Sequence, residues 1–569
     1  MPNRRSELFD RNLELARSLG SAALQGAHRH FYVAGAVPAT PSTPRQVAVA
    51  WRSWVGEVMS GRWPELLNLY VHIPFCSHRC RYCVYYSLGD PPPCDVVAHL
   101  ARLHAEIEFW ASAVEGVRAS TCYLGGGTPT FLDAVPLRSL LSHLRDAFPR
   151  KRGGEWCFEC NPLTATEEKA RLFEEFDFNR VSFGVQSLRP EVLALANRGY
   201  QDLPAIERTF RMMQACRFCI NVDLMYGLPG DTLEGAVASL ERLLDLGPDH
   251  VTIYSLAAGT PWAEALETLK ELPPVTALAE QMEPILQRAG YGQTRFGTAY
   301  TVSRLDSCPR DNRLLDESRI PEGGHMYNDM SNDAASLLGI GVSSRSVIPG
   351  HLRTRSLDSP VGDPFDPDAE SLVSRPVTWR EEKARFVTLQ LDWTGHLDAS
   401  SYRGRFAEDL RVSFGGELDD LEYLGLIEPT KEGFRVVSPD PGVRFAVSAF
   451  FVEEDLVQSS GRKILEVAAG PHAFRLVLAP AGSGQELHHR AGAFGYYLLE
   501  ADVQRGLRIL EPLFARLFDR VVGCDGPSTL RELEQRLIER GDGLRLSTRS
   551  GRGLHGTSLR IVTCSESGR

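Results

Sequence analysis

No run of about 18 consecutive apolar residues, the length a helix needs to cross a bilayer, occurs in the 569-residue chain. The first residues, Met-Pro-Asn-Arg-Arg-Ser-Glu-Leu-Phe-Asp, lack the apolar core of a secretory leader. Basic charge is not in excess. Lys and Arg number 62 against 73 Asp and Glu, a formal net charge of -11, which is the wrong sign for a general nucleic-acid footprint. Cysteine is scarce, at 12 residues, and its clustering argues for metal rather than a disulfide framework. Internal repeats and low-complexity segments are missing as well. These absences predict a cytoplasmic protein with no membrane span and no nucleic-acid partner. The remaining composition, 43% hydrophobic and 24% charged, is that of an ordinary globular protein, long enough for roughly three or four domains.

From about residue 68 to 300, short apolar strands alternate with amphipathic stretches. Strands are expected at Asn68–Ile73, Thr121–Leu124, Trp156–Cys160, Arg180–Val185, Ile220–Met225 and His250–Ser255. Helices are expected at 95–113, 135–148, 166–176, 190–197, 203–216 and 232–246. This alternation predicts a parallel sheet with right-handed crossovers, and six repeats fit a partial (β/α) barrel with its ligands at the C-terminal strand ends. Outside it, 1–33 reads as helical, 34–45 as a linker and 51–67 as a short helix. Residues 301–345 are less regular, and 356–377 read as a Pro- and Asp-rich surface connection. A mostly helical segment with a small wing follows at 378–451. Strand-like Phe474–Leu478 and helix-like 501–520 and 527–540 suggest an additional α+β region at 452–569. The domain reading is 1–65, 66–300, 301–377, 378–451 and 452–569.

The most informative positive feature is Tyr70-Val-His-Ile-Pro-Phe-Cys-Ser-His-Arg-Cys-Arg-Tyr-Cys83. Cys76, Cys80 and Cys83 stand in a C-x3-C-x2-C pattern, and no fourth cysteine follows at a matching distance. Three thiolates on one loop can hold three irons of a [4Fe–4S] cluster and leave the fourth open. The alternative is a structural zinc site, although zinc usually takes two spaced ligand pairs. The run Tyr123-Leu-Gly-Gly-Gly-Thr-Pro129 follows the second strand, where glycines admit a close ligand or simply a tight turn. Glu159 closes the third strand and Gln186 the fourth. Asp223 lies in an otherwise apolar strand, which is costly unless it pairs, for instance with Arg198, or binds something. His72 shares a face with Tyr70 and reads as a satisfied core histidine or as a catalytic residue near the cluster loop. Cys157/Cys160 and Cys216/Cys219 form two C-x2-C pairs, either a second metal site or small buried hydrophobes.

The cysteine pattern is the signature of radical S-adenosylmethionine (SAM) enzymes. With its flanking Tyr-Val-His-Ile-Pro-Phe and Tyr82, it resembles the oxygen-independent coproporphyrinogen III oxidase-like family, which includes heme chaperones and class C radical SAM methyltransferases. The resemblance covers about residues 66–450. It implies an α/β fold built on an open six-stranded barrel with a mostly helical C-terminal domain. It also implies a [4Fe–4S] cluster and a first SAM contacted by Tyr70, Gly126 and Glu159. Tyr82, Gly127, Thr128, Gln186, Arg198, Asp223 and Ala257 match contacts to a second SAM found in some members. Further implied are an electron donor such as flavodoxin or ferredoxin and a small-molecule substrate, a tetrapyrrole or specialised metabolite. Two elements depart from the family. The oxidases' extra cysteine, two residues past the third cluster cysteine, is here Tyr85. The chaperones' His-Asn-x-x-Tyr-Trp element is here His325-Met-Tyr-Asn-Asp-Met330. The departures favour a radical SAM enzyme of the methyltransferase type over decarboxylation or heme handling.

Overall fold

In a computed structural model of the chain, the described residues are 2–19, 40–255 apart from 64, 84, 152 and 153, then 262, 275–293, 300–304, 336–357, 363–438, 440–452, 546–551 and 554–559. The chain forms two compact units, Met1–Gly461 and Arg462–Arg569.

The core of the first unit is a set of six parallel strands: β1 (Leu67–Ile73), β2 (Ala119–Gly126), β3 (Trp156–Cys160), β4 (Arg180–Gln186), β5 (Cys219–Tyr226) and β6 (His250–Ser255). They pair in that order, β1 with β2 through β5 with β6. Each of the six strands expected between 68 and 255 is present within two residues of its expected ends. Between them run α1 (Pro93–Ala113), α2 (Ala134–Ala147), α3 (Glu167–Glu175), α4 (Leu203–Ala215) and α5 (Leu233–Leu244), with the short helix Pro190–Leu195 before α4. All seven residues of β1 are buried, because helices cover one face of a parallel sheet and the interior covers the other. Three crossover helices start at a side-chain cap. Thr166, Asp202 and Thr232 accept from the amides of Lys169, Ala205 and Gly235, satisfying a donor with no partner inside the helix.

The sheet does not stop at six strands. It has thirteen. Ser336–Ile340 runs parallel beside β1, and Arg345–Ile348, Leu352–Ser356, Leu372–Pro376 and Thr40–Ser42 follow antiparallel. Beyond β6 lie Tyr300–Arg304 and Tyr291–Gln293, also antiparallel. Two stretches read as connections, 34–45 and 356–377, therefore contribute strands, Thr40–Ser42 at the edge and Leu372–Pro376 paired on both sides. Their pairing partners are distant in sequence, and composition carries no trace of them. The helix expected at 51–67 is Pro44–Met59. It begins earlier at a capping box, in which Thr43 accepts from the Gln46 amide and Gln46 returns the bond.

Residues 378–451 are mostly helical with a small wing. Helices Trp379–Thr394, Ala399–Phe406, Leu410–Tyr423 and Pro441–Ala449 surround a three-stranded sheet of His396–Asp398, Gly433–Val436 and Ile427–Pro429. Trp379 stacks on Trp63 with ring centroids 4.3 Å apart, tying this segment to the approach to β1. In the second unit the described residues are an antiparallel hairpin, Leu546–Gly551 with Leu554–Leu559. The expected strand at 474–478, the helices at 501–520 and 527–540, and residues 20–33 lie outside the described residues. No helix of the described residues is long and apolar enough to cross a membrane.

Phe158 of β3 is fully buried. Its ring stacks on Phe173 of α3 at 3.7 Å and meets Phe178 and Phe218 edge-on. Phe158→Ala is expected to destabilise the first unit by about 3–5 kcal/mol, read as a lower midpoint of its thermal transition.

Candidate functional site

The loop carrying Cys76, Cys80 and Cys83 leaves the C-terminal end of β1 and is closed at its neck. Phe75–Cys76 pairs with Leu88–Gly89, and the amides of Leu88 and Asp90 bond back to Pro74 and Cys76. Its far side is tied to the exit of β4. The Arg81 amide donates to the Ala196 carbonyl, and the Asn197 side chain donates to the Arg79 carbonyl. The three thiols are free and partly buried. Cys76 Sγ lies 3.5 Å from Thr128 Oγ1, Cys80 Sγ accepts from Arg198 Nη1 at 3.3 Å, and Cys83 Sγ lies 3.9 Å from Ser87 Oγ. Burial chiefly, with the neighbouring Cys83 and Cys80 adding to it, pushes the Cys76 thiol up to about 12. Burial raises Cys83 as well, again with Cys80 adding to it.

The glycine segment at the end of β2 runs against this loop. The amides of Gly127 and Thr128 donate to the carbonyls of Ile73 and Phe75, both at 2.7 Å. A Cβ on Gly127 would stand 2.5 Å from the Phe75 carbonyl oxygen, so only glycine permits this approach. Gly126 has φ +110°, and a Cβ there would strike the ring of His72 at 2.4 Å. His72 is buried. Its Nε2 bonds the Tyr86 carbonyl at 2.9 Å, which makes that nitrogen the donor, and its Nδ1 accepts from the Tyr70 hydroxyl at 2.9 Å. Burial holds this imidazole neutral, with its pKa lowered to about 4. Both ring nitrogens have partners inside the protein, as the core-histidine reading expects, and the ring fastens the cysteine loop to β1.

On the inner side of the strand ends, Glu159 and Asp223 are half-buried. Glu159 accepts from the Tyr123 hydroxyl at 2.8 Å and from the Gly126 amide at 3.0 Å. Asp223 accepts from Ser182 at 3.0 Å and Asn221 at 2.7 Å, and the Thr252 hydroxyl donates to Asn221 Oδ1. Burial raises both carboxyls, Glu159 to about 7 with Asp223 adding to it, and Asp223 to about 6. The suggested Arg198–Asp223 salt bridge is not formed. Arg198 is buried and donates instead to the Gly184 carbonyl, Gln201, Cys80 and the Tyr82 hydroxyl. Gln186 sits at a β-bulge with φ +70°, and its buried side-chain oxygen has no hydrogen-bond partner among the described residues. Strain and an orphaned acceptor at a strand end are the marks of a position kept for a ligand.

The structure thus gathers Tyr70, Tyr82, Gly126, Gly127, Thr128, Glu159, Gln186, Arg198 and Asp223 with the three cysteines at one end of the sheet. Ala257 lies outside the described residues. Sequence reading missed Tyr123, Ser182, Asn221 and Gln201, which orient Glu159, Asp223 and Arg198. Asn221 was detectable, since it stands two residues from Asp223 and so on the same strand face. Cys157 packs with Tyr70, Tyr123, Leu337 and Val347, and Cys160 is buried, which is the hydrophobic reading of that pair.

The donor set fits a cluster. Among the described residues no three His, Cys, Asp or Glu side chains converge to hold a single ion. A [4Fe–4S] cluster asks for something else, one thiolate at each of several separate irons, with hydrogen bonds and charge at the sulfurs tuning it. Arg198 beside Cys80 and the hydroxyls beside Cys76 and Cys83 supply these. The orphaned Gln186 oxygen and the two carboxyls fit a ligand bearing hydroxyl, amine or sulfonium groups.

Residues 70–254 match the Radical SAM superfamily model. The chain is 32% identical over 222 residues to the oxygen-independent coproporphyrinogen III oxidase of Paracoccus denitrificans, covering 39% of this chain and 48% of the relative. It is 31% identical over 234 residues to the heme chaperone HemW of Escherichia coli, covering 40% of this chain and 61% of that one. The chain thus spans only about half to three-fifths of these two relatives. The solved coproporphyrinogen III oxidase of Escherichia coli, described as a radical SAM enzyme, superposes with a TM-score of 0.56 at 25% identity, over 70% of this chain and 92% of the other. Residues 70–254 thus carry a radical SAM domain, and the chain is similar to coproporphyrinogen III oxidases and heme chaperones.

Two predictions follow from this geometry. Gly127→Ala is expected to reduce iron and sulfide retained after anaerobic reconstitution to a small fraction of wild type, because the loop must move away from β2. His99 of α1, stacked edge-on against Phe75 and bonded to the His72 carbonyl, is also held neutral by burial, its pKa lowered to about 3. The unfolded chain protonates its histidines near 6.5 while the folded chain resists, so the unfolded state binds more protons below that pH. Their contribution to stability is then complete above about pH 6.5 and is lost as pH drops toward 4, by an amount on the order of several kcal/mol for the two histidines together, against the opposite trend of the raised Glu159 and Asp223. His99→Gln should flatten that slope in a pH series of thermal midpoints.

Proposed function

We propose that this chain is a radical SAM enzyme that holds a [4Fe–4S] cluster on Cys76, Cys80 and Cys83 and binds SAM at the C-terminal strand ends. The observation that carries the reading is the meeting of three thiols on one anchored loop with Glu159, Asp223 and the unpartnered Gln186 oxygen. The chemistry supplied by a bound cluster and SAM is reductive cleavage of a SAM carbon–sulfur bond, giving methionine and a 5′-deoxyadenosyl radical. The protein's residues bind and orient. Gly126, Glu159 and Tyr70 serve the first SAM. Tyr82, Gly127, Thr128, Gln186, Arg198, Asp223 and Ala257 serve a second. His72 is a positioning residue. It holds the loop through Tyr86 and sets the Tyr70 hydroxyl. Arg198 lays a fixed positive charge beside Cys80.

The finer reading is C-methylation of a tetrapyrrole or specialised metabolite, with electrons from a carrier such as flavodoxin or ferredoxin. It is supported by the retained residues for two SAM molecules and by Tyr85, exposed where the oxidases carry a cysteine. Heme handling and coproporphyrinogen decarboxylation are the competing readings.

Protein reconstituted anaerobically with iron and sulfide, then given dithionite and SAM, is expected to release 5′-deoxyadenosine, detected by mass spectrometry. Cys76→Ala should lower that product at least a hundredfold. A full cluster with no SAM cleavage would overturn the enzyme reading. S-adenosylhomocysteine formed with a tetrapyrrole acceptor would support methyl transfer, whereas protoporphyrinogen from coproporphyrinogen would replace it with decarboxylation.

A further inference from the structure

We propose that Asn161 and Thr128 act as a pair that makes the cluster easier to reduce: Thr128 donates its hydroxyl hydrogen to the sulfur of Cys76, and Asn161 is the positioning residue that aims it. This rests on the reading above in which Cys76 ligates a [4Fe–4S] cluster.

Asn161 directly follows β3, and Thr128 lies just past the end of β2. Both are buried. The Asn161 side chain fits only one way round. Its Oδ1 faces the backbone amides of Leu163 and Thr164 at 3.0 and 3.1 Å, and a backbone amide can only donate. The side-chain nitrogen is therefore the end that reaches Thr128, where it donates to Oγ1 at 3.3 Å. The loop behind it is held in turn. The Thr164 hydroxyl also donates to Asn161 Oδ1, so the Thr130 hydroxyl, 2.7 Å away, must donate to Thr164. Lys169 Nζ donates to the carbonyls of Thr130 and Thr164.

A hydroxyl carries a single hydrogen. Because Thr128 Oγ1 accepts from Asn161, that hydrogen is turned toward Cys76 Sγ, 3.5 Å away. A metal-bound cysteine is a thiolate with no proton of its own, which fixes Thr128 as the donor. Ser87, the hydroxyl beside Cys83, is not aimed in this way. It lies 3.9 Å from Cys83 Sγ and has the Tyr85 carbonyl at 3.5 Å as another acceptor. A hydrogen bond to a ligating sulfur draws off negative charge, and the reduced cluster carries more of it than the oxidised one. The bond is stronger in the reduced state and so raises the reduction potential. A purely structural Thr128 would change how much cluster is held and leave the potential where it was.

The test is a redox titration of the reconstituted full-length protein without SAM, with the reduced cluster read by electron paramagnetic resonance. At the potential where the wild type is half reduced, Thr128→Val is expected to lower the reduced-to-oxidised ratio about three- to tenfold. Thr128→Ser, which keeps the hydroxyl, should stay at the wild-type ratio. If Thr128→Val holds no cluster, Thr128→Ala against Thr128→Ser makes the same comparison. Asn161→Asp keeps an oxygen for the Leu163 and Thr164 amides but replaces the donor with an acceptor, which turns the Thr128 hydrogen away from Cys76. It is expected to lower the ratio too, and by clearly less in the Thr128→Val background. An equal shift in both backgrounds would be a bare charge effect and would overturn the positioning role of Asn161. A full cluster with an unchanged ratio in Thr128→Val or Thr128→Ala overturns the proposal and leaves the cluster reading intact. A wild type that assembles no four-iron cluster overturns that reading and the proposal with it.

Discussion

The closest approach in the site is between the end of β2 and the start of the cysteine loop, and the rest of the arrangement depends on it. Two backbone bonds, from Gly127 and Thr128 to Ile73 and Phe75, leave no room for a side chain at position 127. They place the Thr128 hydroxyl at Cys76 and the Gly126 amide at Glu159. The same approach presses Gly126 onto His72, whose two nitrogens then connect Tyr70 to the loop at Tyr86. One steric constraint therefore sets the position of a thiol, a carboxyl and the anchor of the loop together.

Charge in the site is organised by burial. Arg198 keeps its guanidinium beside Cys80 because the Gly184 carbonyl and Gln201 hold it there, and Gln201 in turn donates to the Val185 carbonyl. Burial raises Glu159 and Asp223, while the donors that reach them lower them. The three partly buried thiols bind metal as thiolates, so cluster binding and thiol ionisation are linked.

Much of this was legible from spacing. The six parallel strands, their helices and the cluster of candidate residues at the strand ends all follow from period and motif. The side chains that orient the site did not emerge, because Tyr123, Ser182 and Gln201 are ordinary residues until a neighbouring strand brings Glu159, Asp223 or Arg198 beside them. The suggested Arg198–Asp223 pair failed for the same reason, as Ser182 and Asn221 reach Asp223 first. The strands Thr40–Ser42 and Leu372–Pro376 were read as connections because they are short and pair with each other across a long sequence separation.

By itself, the sequence determined the local facts: the order of strands and helices from periodicity, the three-thiol loop from cysteine spacing, and the close backbone approach from consecutive glycines. These depend on residues near one another in the chain. The tertiary structure alone decided the thirteen-strand extent of the sheet among the described residues, the neutral buried state of His72 and the positive φ of Gln186. Each of those depends on which groups from distant segments exclude water from, or donate to, a given atom, and such neighbours exist only once the chain has folded.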